Sequence, residues 1–184
     1  MLTRKFKSGL SLVLIAVLMT ACSTKLLENP ADALISSHHD AAEKMIHMAG
    51  KDLPAGSRMI AASFADINDL TSSSPFGRMA SQQLVSSFSL KGYPFVEMLM
   101  RNSVYIDKRE GEFLLSREVS DISAEHNAPI VLVGTYAVGS EFVFVTSKLI
   151  RTIDNVIIAS HDYALPYTRD LRALTRSPVY DPQQ

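Results

Sequence analysis

Hydrophobic positions along this chain switch between a helical period and a strand period, and the switches mark out its elements. Leu34, Ile35, His38, Ala42, Met45, Ile46 and Ala49 fall on one broad face at about 100° per residue, which predicts a helix. Asn29-Pro30-Ala31-Asp32 supplies its N-cap, a proline in the first turn and an acid near exposed N–H groups, and Gly50 is placed to end it. Between Arg58 and Ile67 the run Met59-Ile60-Ala61-Ala62-Ser63-Phe64 reads as a mostly buried strand, closed by Asn68-Asp69 and the loop Thr71-Ser72-Ser73-Ser74-Pro75. Phe76 to Lys91 returns to helical spacing through Ala80, Leu84, Val85 and Phe88, Gly92 stops it, and Tyr93 to Met100 is strand-like. A strand-helix-strand unit is expected, right-handed if its strands are parallel neighbours.

The second half is richer in strands. Ser103 to Ile106 reads as a short strand and Asp107 to Glu112 as a charged turn, after which Ser116 caps a third helix with Leu115, Val119 and Ile122 as its narrow stripe. Asn127-Ala128-Pro129 breaks that helix. Ile130 to Val138, Phe142 to Arg151 and Val156 to Leu165 are strands, with Gly139-Ser140 and Asp154-Asn155 as turn residues, and an antiparallel meander fits them best. Beyond Pro166, Arg169, Arg172, Arg176 and prolines at 178 and 182 leave few core-forming residues, so a fraying turn of helix and coil is expected. The fold class is α/β (α+β): one small domain over residues 31–166, with a mixed sheet containing the strand-helix-strand unit and a C-terminal three-stranded antiparallel meander, helices packed on the sheet, and a tail over 167–184.

Ahead of the first helix the pattern changes kind. Arg4, Lys5 and Lys7 precede an apolar run from Leu10 to Leu18, and Thr20 and Ala21 are the small residues that a signal peptidase accepts. The run is shorter than the ~20 apolar residues needed to span a bilayer, so residues 1–21 read as a removable signal. Leu18-Met19-Thr20-Ala21-Cys22 resembles a bacterial lipobox, in which the thiol is joined to diacylglycerol and the new amino terminus takes a further acyl chain such as palmitate. Met19 stands where such motifs usually carry Leu. Cys22 is the only cysteine, and a lone thiol in an oxidising compartment would be a reactive liability, so lipid attachment at Cys22 is expected. Several acyl chains, at about 0.8 kcal/mol per buried CH₂, would anchor the chain stably. Ser23 resembles the default pattern for outer-membrane sorting, with either face of that membrane open, and residues 22–30 form a short tether.

Removing residues 1–21 leaves 163 residues with 15 basic and 19 acidic side chains, a formal charge of −4. That length holds one domain with a proper core, and that charge disfavours nucleic acid as a partner.

Candidate chemistry is sparse. His39, Glu43 and His47 recur every four residues on one helical stripe, a metal-like spacing, but the stripe lies away from Leu34 and Met45 and reads as a solvated face without an enclosing shell. His38 points to the apolar side and is expected to be packed. Ser160-His161-Asp162 contains the residue types of a hydrolase triad, yet neighbours on a strand point to opposite faces. No G-x-S-x-G, H-E-x-x-H or phosphate-loop motif occurs, so no catalytic residue, metal or cofactor is assigned. Asp66, Asn68 and Asp69 read as turn residues before a cation site. The loop from Asp69 to Gly77 is equally a protein-contact candidate and a connector, and the arginine-bearing tail a weaker candidate for an acidic partner.

In order, Met59 to Phe64, the Asp66 to Pro75 loop, Phe76-Gly77-Arg78 opening a helix, and Lys91-Gly92-Tyr93 resemble blocks of the FlgO family of flagellar outer-membrane proteins. Gly111 to Glu118, Val131 to Tyr136, Lys148-Leu149-Ile150 and Val156 to Ser160 continue the resemblance, which covers roughly residues 35–165. It implies a non-catalytic accessory role in flagellar assembly, stability and motility, without cofactor or small-molecule substrate, and with flagellar basal-body or other outer-membrane proteins as partners. It transfers no functional residue. A looser pattern is shared with CsgG-like and peptidoglycan-synthase-activator lipoproteins, which leaves an envelope regulator as the alternative.

Overall fold

The computed structural model describes residues 29–70, 73–96 and 123–176. The signal segment, Cys22, the tether up to residue 28, the expected strand at Ser103 to Ile106, the charged turn and the Ser116 cap lie outside the described residues, as do Glu97 to Met100.

Helix α1 (Pro30–Ala49) starts as its sequence requires, with the Asn29 side chain accepting a hydrogen bond from the Ala31 N–H at 3.1 Å. Gly50, at φ 49°, ends it and leads into a single 3₁₀ turn, Gly50–Asp52. Its buried face carries His38, Ala41, Ala42, Met45 and Ala49. Ile35, placed by periodicity on that face, is 42% exposed because it lies at the rim of the stripe.

Strands β1 (Met59–Ala61) and β2 (Ala65–Asp66) both pair in parallel with β3 (Ile130–Val138). The continuous strand expected from Arg58 to Ile67 is therefore broken. Ala61 pairs with Leu132 and Ala65 with Thr135, so one side of the ladder carries one extra residue, as in a bulge. The reason lies in Phe64. Its ring packs over Gly134 of β3, where a Cβ would run into the ring, and its N–H and C=O turn from the sheet toward Gly77 O at 3.1 Å and the Ser73 hydroxyl at 2.9 Å. Gly77 also has no room for a Cβ, which would strike the Phe64 carbonyl.

Helix α2 (Pro75–Leu90) is capped by the buried Ser74, whose hydroxyl accepts from the Gly77 N–H at 3.2 Å. Phe76, Ala80, Leu84 and Phe88 form its buried stripe, and Gly92, at φ 90°, turns the chain back. The return arm then runs parallel to β1: Met59 N–H donates to Pro94 O at 2.9 Å, and Val96 N–H donates to Met59 O at 2.8 Å. Among the described residues this arm makes one bridge, at Phe95.

The meander follows as β3, β4 (Phe142–Arg151) and β5 (Val156–Pro166), all antiparallel, in the sheet order β1-β3-β4-β5 with β2 also on β3. Asn155, at φ 56°, takes the left-handed position of the second turn. A bulge between Leu149 and Ile150 gives β5 one extra residue.

The tail holds the expected turn of helix, but packed into the core rather than fraying. Thr168 caps a short helix, α3 (Arg169–Leu174), and Leu171 is buried in the main core with Leu165 and Val143. α1, α2 and α3 cover one face of the sheet, burying Met59, Leu132, Tyr136, Val145 and Leu149. The opposite face keeps a smaller cluster of Ile60, Ala128, Val131, Val133 and Ile150. The result is an α/β domain with a mixed sheet, α1, α2 and α3 on one face and an antiparallel C-terminal meander.

Candidate functional site

α1 runs antiparallel to β5, the last strand of the meander and its edge among the described residues, and between them lies a shallow open groove of about 500 Å³ lined by Glu43, Lys44, His47, Met48 and His161. Helix periodicity puts Glu43 and His47 on one stripe, and strand alternation puts His161 beside them from below. Glu43 is also 3.4 Å from Nζ of Lys91, the residue that caps the C-terminal end of α2, so the stripe reaches across to that helix. Met48 is 55% exposed, and its sulfur accepts from the Ser160 N–H, an outward-facing donor of the edge strand, at 3.5 Å. Burial, followed by the Lys44 charge, lowers the His161 pKa from its ordinary value. Small-molecule sites enclose most of a ligand's surface, and this open groove of mixed charge does not.

Beneath the groove the core holds a polar group of its own. His38 is fully buried, and its Nδ1 is 2.9 Å from Leu34 O, which can only accept, so that nitrogen carries the proton. Its Nε2 lone pair has no partner, and the ring packs edge-on to Tyr163 at 5.3 Å between centroids. Burial pushes the His38 pKa down to about 4, outweighing the Leu34 hydrogen bond. The Tyr163 hydroxyl is also buried without a partner, and burial raises its pKa. His38 is thus packed, as its position on the apolar side predicts.

The other sequence candidates separate. Ser160 and Asp162 stand opposite Lys148 and Thr146 on the sheet face away from α1, whereas His161 lines the groove, so the three side chains do not converge. His39, Glu43 and His47 share a helix, and among the described residues no group of three His, Cys, Asp or Glu side chains is placed to hold a metal. Asp66 closes a local turn: its Oδ1 accepts from the Asn68 N–H at 2.8 Å and from the Asn68 amide at 3.0 Å. The end of the Asp69 to Gly77 loop is tied down, with Ser73 on Phe64, Ser74 on Gly77, and Arg78 Nη1 donating to Ser73 O at 3.1 Å. That makes residues 73–77 a connector that fixes α2. Arg172 of α3 is held differently, lying 5.3 Å from the centroid of the Tyr167 ring.

One feature escaped the sequence reading. Phe142 and Phe144 are 42% and 54% exposed on the sheet face that α1 and α2 leave uncovered, their ring centroids 6.4 Å apart. The signal was present in Phe142-Val143-Phe144-Val145, where both strand faces are apolar although only one is needed for the core.

The sequence model for FlgO protein matches residues 39–170. In structure the chain is similar to the LpoB C-terminal domain from Escherichia coli, with a TM-score of 0.54 and 15% identity over 71% of this chain and 96% of that one. The LpoB C-terminal domain from Salmonella enterica gives a TM-score of 0.52 and 16% identity over the same shares, 71% and 96%. At that identity the likeness is one of fold. No protein of curated function matches in sequence. Among the described residues no helix is long and apolar enough to cross a membrane.

Proposed function

The chain belongs to the FlgO protein family, and from that premise we propose that it is an envelope lipoprotein with an accessory, non-catalytic role at the flagellum. In this reading Cys22 carries the lipid, the outer membrane holds it, and the α/β domain supports flagellar assembly, stability and motility by binding basal-body or other outer-membrane proteins. The observation that carries the reading is the family match across residues 39–170, which spans every described strand and helix α2. The scattered polar candidates agree with a binding role, since acid-base or nucleophilic catalysis needs groups within hydrogen-bond reach of one another.

The competing reading, a lipoprotein that regulates a cell-wall or secretion machine through protein contact, draws on the shared LpoB fold. Folds host many functions, so that likeness favours no partner. Deleting the gene, imaging flagella and scoring swimming separates the two. Loss of flagella or motility, restored by the wild-type chain and not by Cys22→Ser, is the expected outcome. Normal motility with an altered cell wall would sink the flagellar reading and favour the regulator.

A further inference from the structure

The exposed aromatics of β4 form part of a longer apolar strip. Phe144 pairs in register with Ala137 on β3 and Ala164 on β5, and Phe142 pairs with Pro166, so the strip crosses three strands at one end of the sheet. Ala164 and Pro166 are exposed, as both phenylalanines are. A surface of this kind on a folded domain calls for an occupant.

The fold connects this strip to the start of α1. Ala33 and Leu34, near the start of that helix, share a small crevice with Leu165, Pro166, Thr168 and Leu171. Tyr167 N–H donates to Glu141 O at 2.7 Å, one residue before Phe142. The beginning of α1, the end of β5 and the aromatic pair therefore sit together. Only residues 23–29 separate Cys22 from Pro30, and such a segment reaches at most about 25 Å. A lipid on Cys22 would hold this end of the domain near its leaflet. The far end, marked by Ile153 in the β4–β5 turn, lies roughly 30 Å away along β5 at ~3.3 Å per residue.

Charge does not favour another occupant. Arg169 and Arg172 at this end are matched by Asp32, Glu141 and Asp170, so the feature left to select a partner is apolar surface. Two phenylalanines are too little to hold a free domain on a bilayer, but a short tether supplies an effective concentration on the order of millimolar.

We propose that Phe142 and Phe144 dock into the phospholipid leaflet that holds Cys22, turning the start of α1 toward the bilayer and the β4–β5 turn away from it. The proposal rests on Cys22 as the anchor, and its test is built to separate the two.

The chain from Cys22 onward contains every described residue, one thiol and no tryptophan. It can be coupled through Cys22 to a maleimide-headgroup lipid in phosphatidylcholine and phosphatidylglycerol vesicles, whether or not cells acylate it. In a Phe144→Trp variant, emission should shift to the blue and be quenched by lipids brominated near the glycerol end of their chains. In Ile153→Trp, at a position 87% exposed, neither should occur. Adding Phe142→Ser to Phe144→Trp should weaken the quenching. No quenching at position 144, or equal quenching at 144 and 153, overturns the proposal. A blue shift at 144 that grows with protein density on the vesicle but ignores bromine would overturn it in favour of a second copy. The anchor itself is read independently, from the mass of the chain purified out of the cell envelope.

Discussion

His38 shows how a single side chain can set a pH limit on a fold. Its Nδ1–H is committed to Leu34 O, so a second proton must go to Nε2, which faces no acceptor inside the core. The groups packed around it are Leu34 and His39 on its own helix, Phe76 on α2 and Tyr163 on β5, none of which is an anion able to hold the added charge. The unfolded chain therefore binds more protons than the native state between the ordinary value of 6.5 and the folded value of about 4. Stability is complete above that window and falls as the pH drops through it, by about 3 kcal/mol at the 1.36 kcal/mol per unit of linkage. Urea midpoints measured across this window should decline for the wild-type chain, and His38→Gln should flatten the decline. An unchanged slope would mean that His38 is not the group responsible. Periodicity placed His38 on the apolar face correctly, since the helix period depends only on local spacing. The unpartnered Nε2 was invisible to it, because that depends on what β5 and α2 bring across the core.

At the scale of elements, the meander was legible because each of its strands is bounded by turn residues and carries alternating or continuous apolar runs. The segment from Arg58 to Ile67 has the same local pattern, but its break depends on Gly134 and Gly77, which lie distant in sequence and leave room for Phe64. A period of two records which face each residue prefers and cannot register an extra residue that turns aside. The docking of the tail was hidden for a related reason: Leu171 and Leu174 are two apolar residues among arginines, and composition alone gives them a fraying turn of helix with no place in the core. In the fold, Thr168 fixes the start of α3 and Leu171 fills the space between α1 and the end of β5. Leu171 is 1% exposed, so Leu171→Ala should cost 2–5 kcal/mol by analogy with other buried leucines, roughly the cost of cutting a central core side chain. Thermal or urea unfolding measures it. A cost below about 1 kcal/mol would return α3 to the status of a fraying appendage.

For the whole molecule, the sequence made the fold class and the anchor candidate legible but left the surface uncommitted, because exposed side chains answer to partners that the chain does not encode. What the chain does encode is distance. If Cys22 is the lipid anchor, as proposed, and the partner lies in or beside the same leaflet, a tether of residues 23–29 keeps the domain's local concentration high. Making that segment four times longer with Gly-Ser repeats should lower the effective concentration about eightfold, following the −3/2 power of length. Swimming and cross-linking to basal-body proteins should both weaken, without loss of the protein or of its membrane fraction. A partner across the periplasm requires the reverse, since a tether of about 25 Å could not reach it and a longer one could. Improved cross-linking to a cell-wall enzyme on lengthening would therefore contradict the flagellar reading. Placing the added repeats ahead of Asn29 keeps its cap on α1 in place.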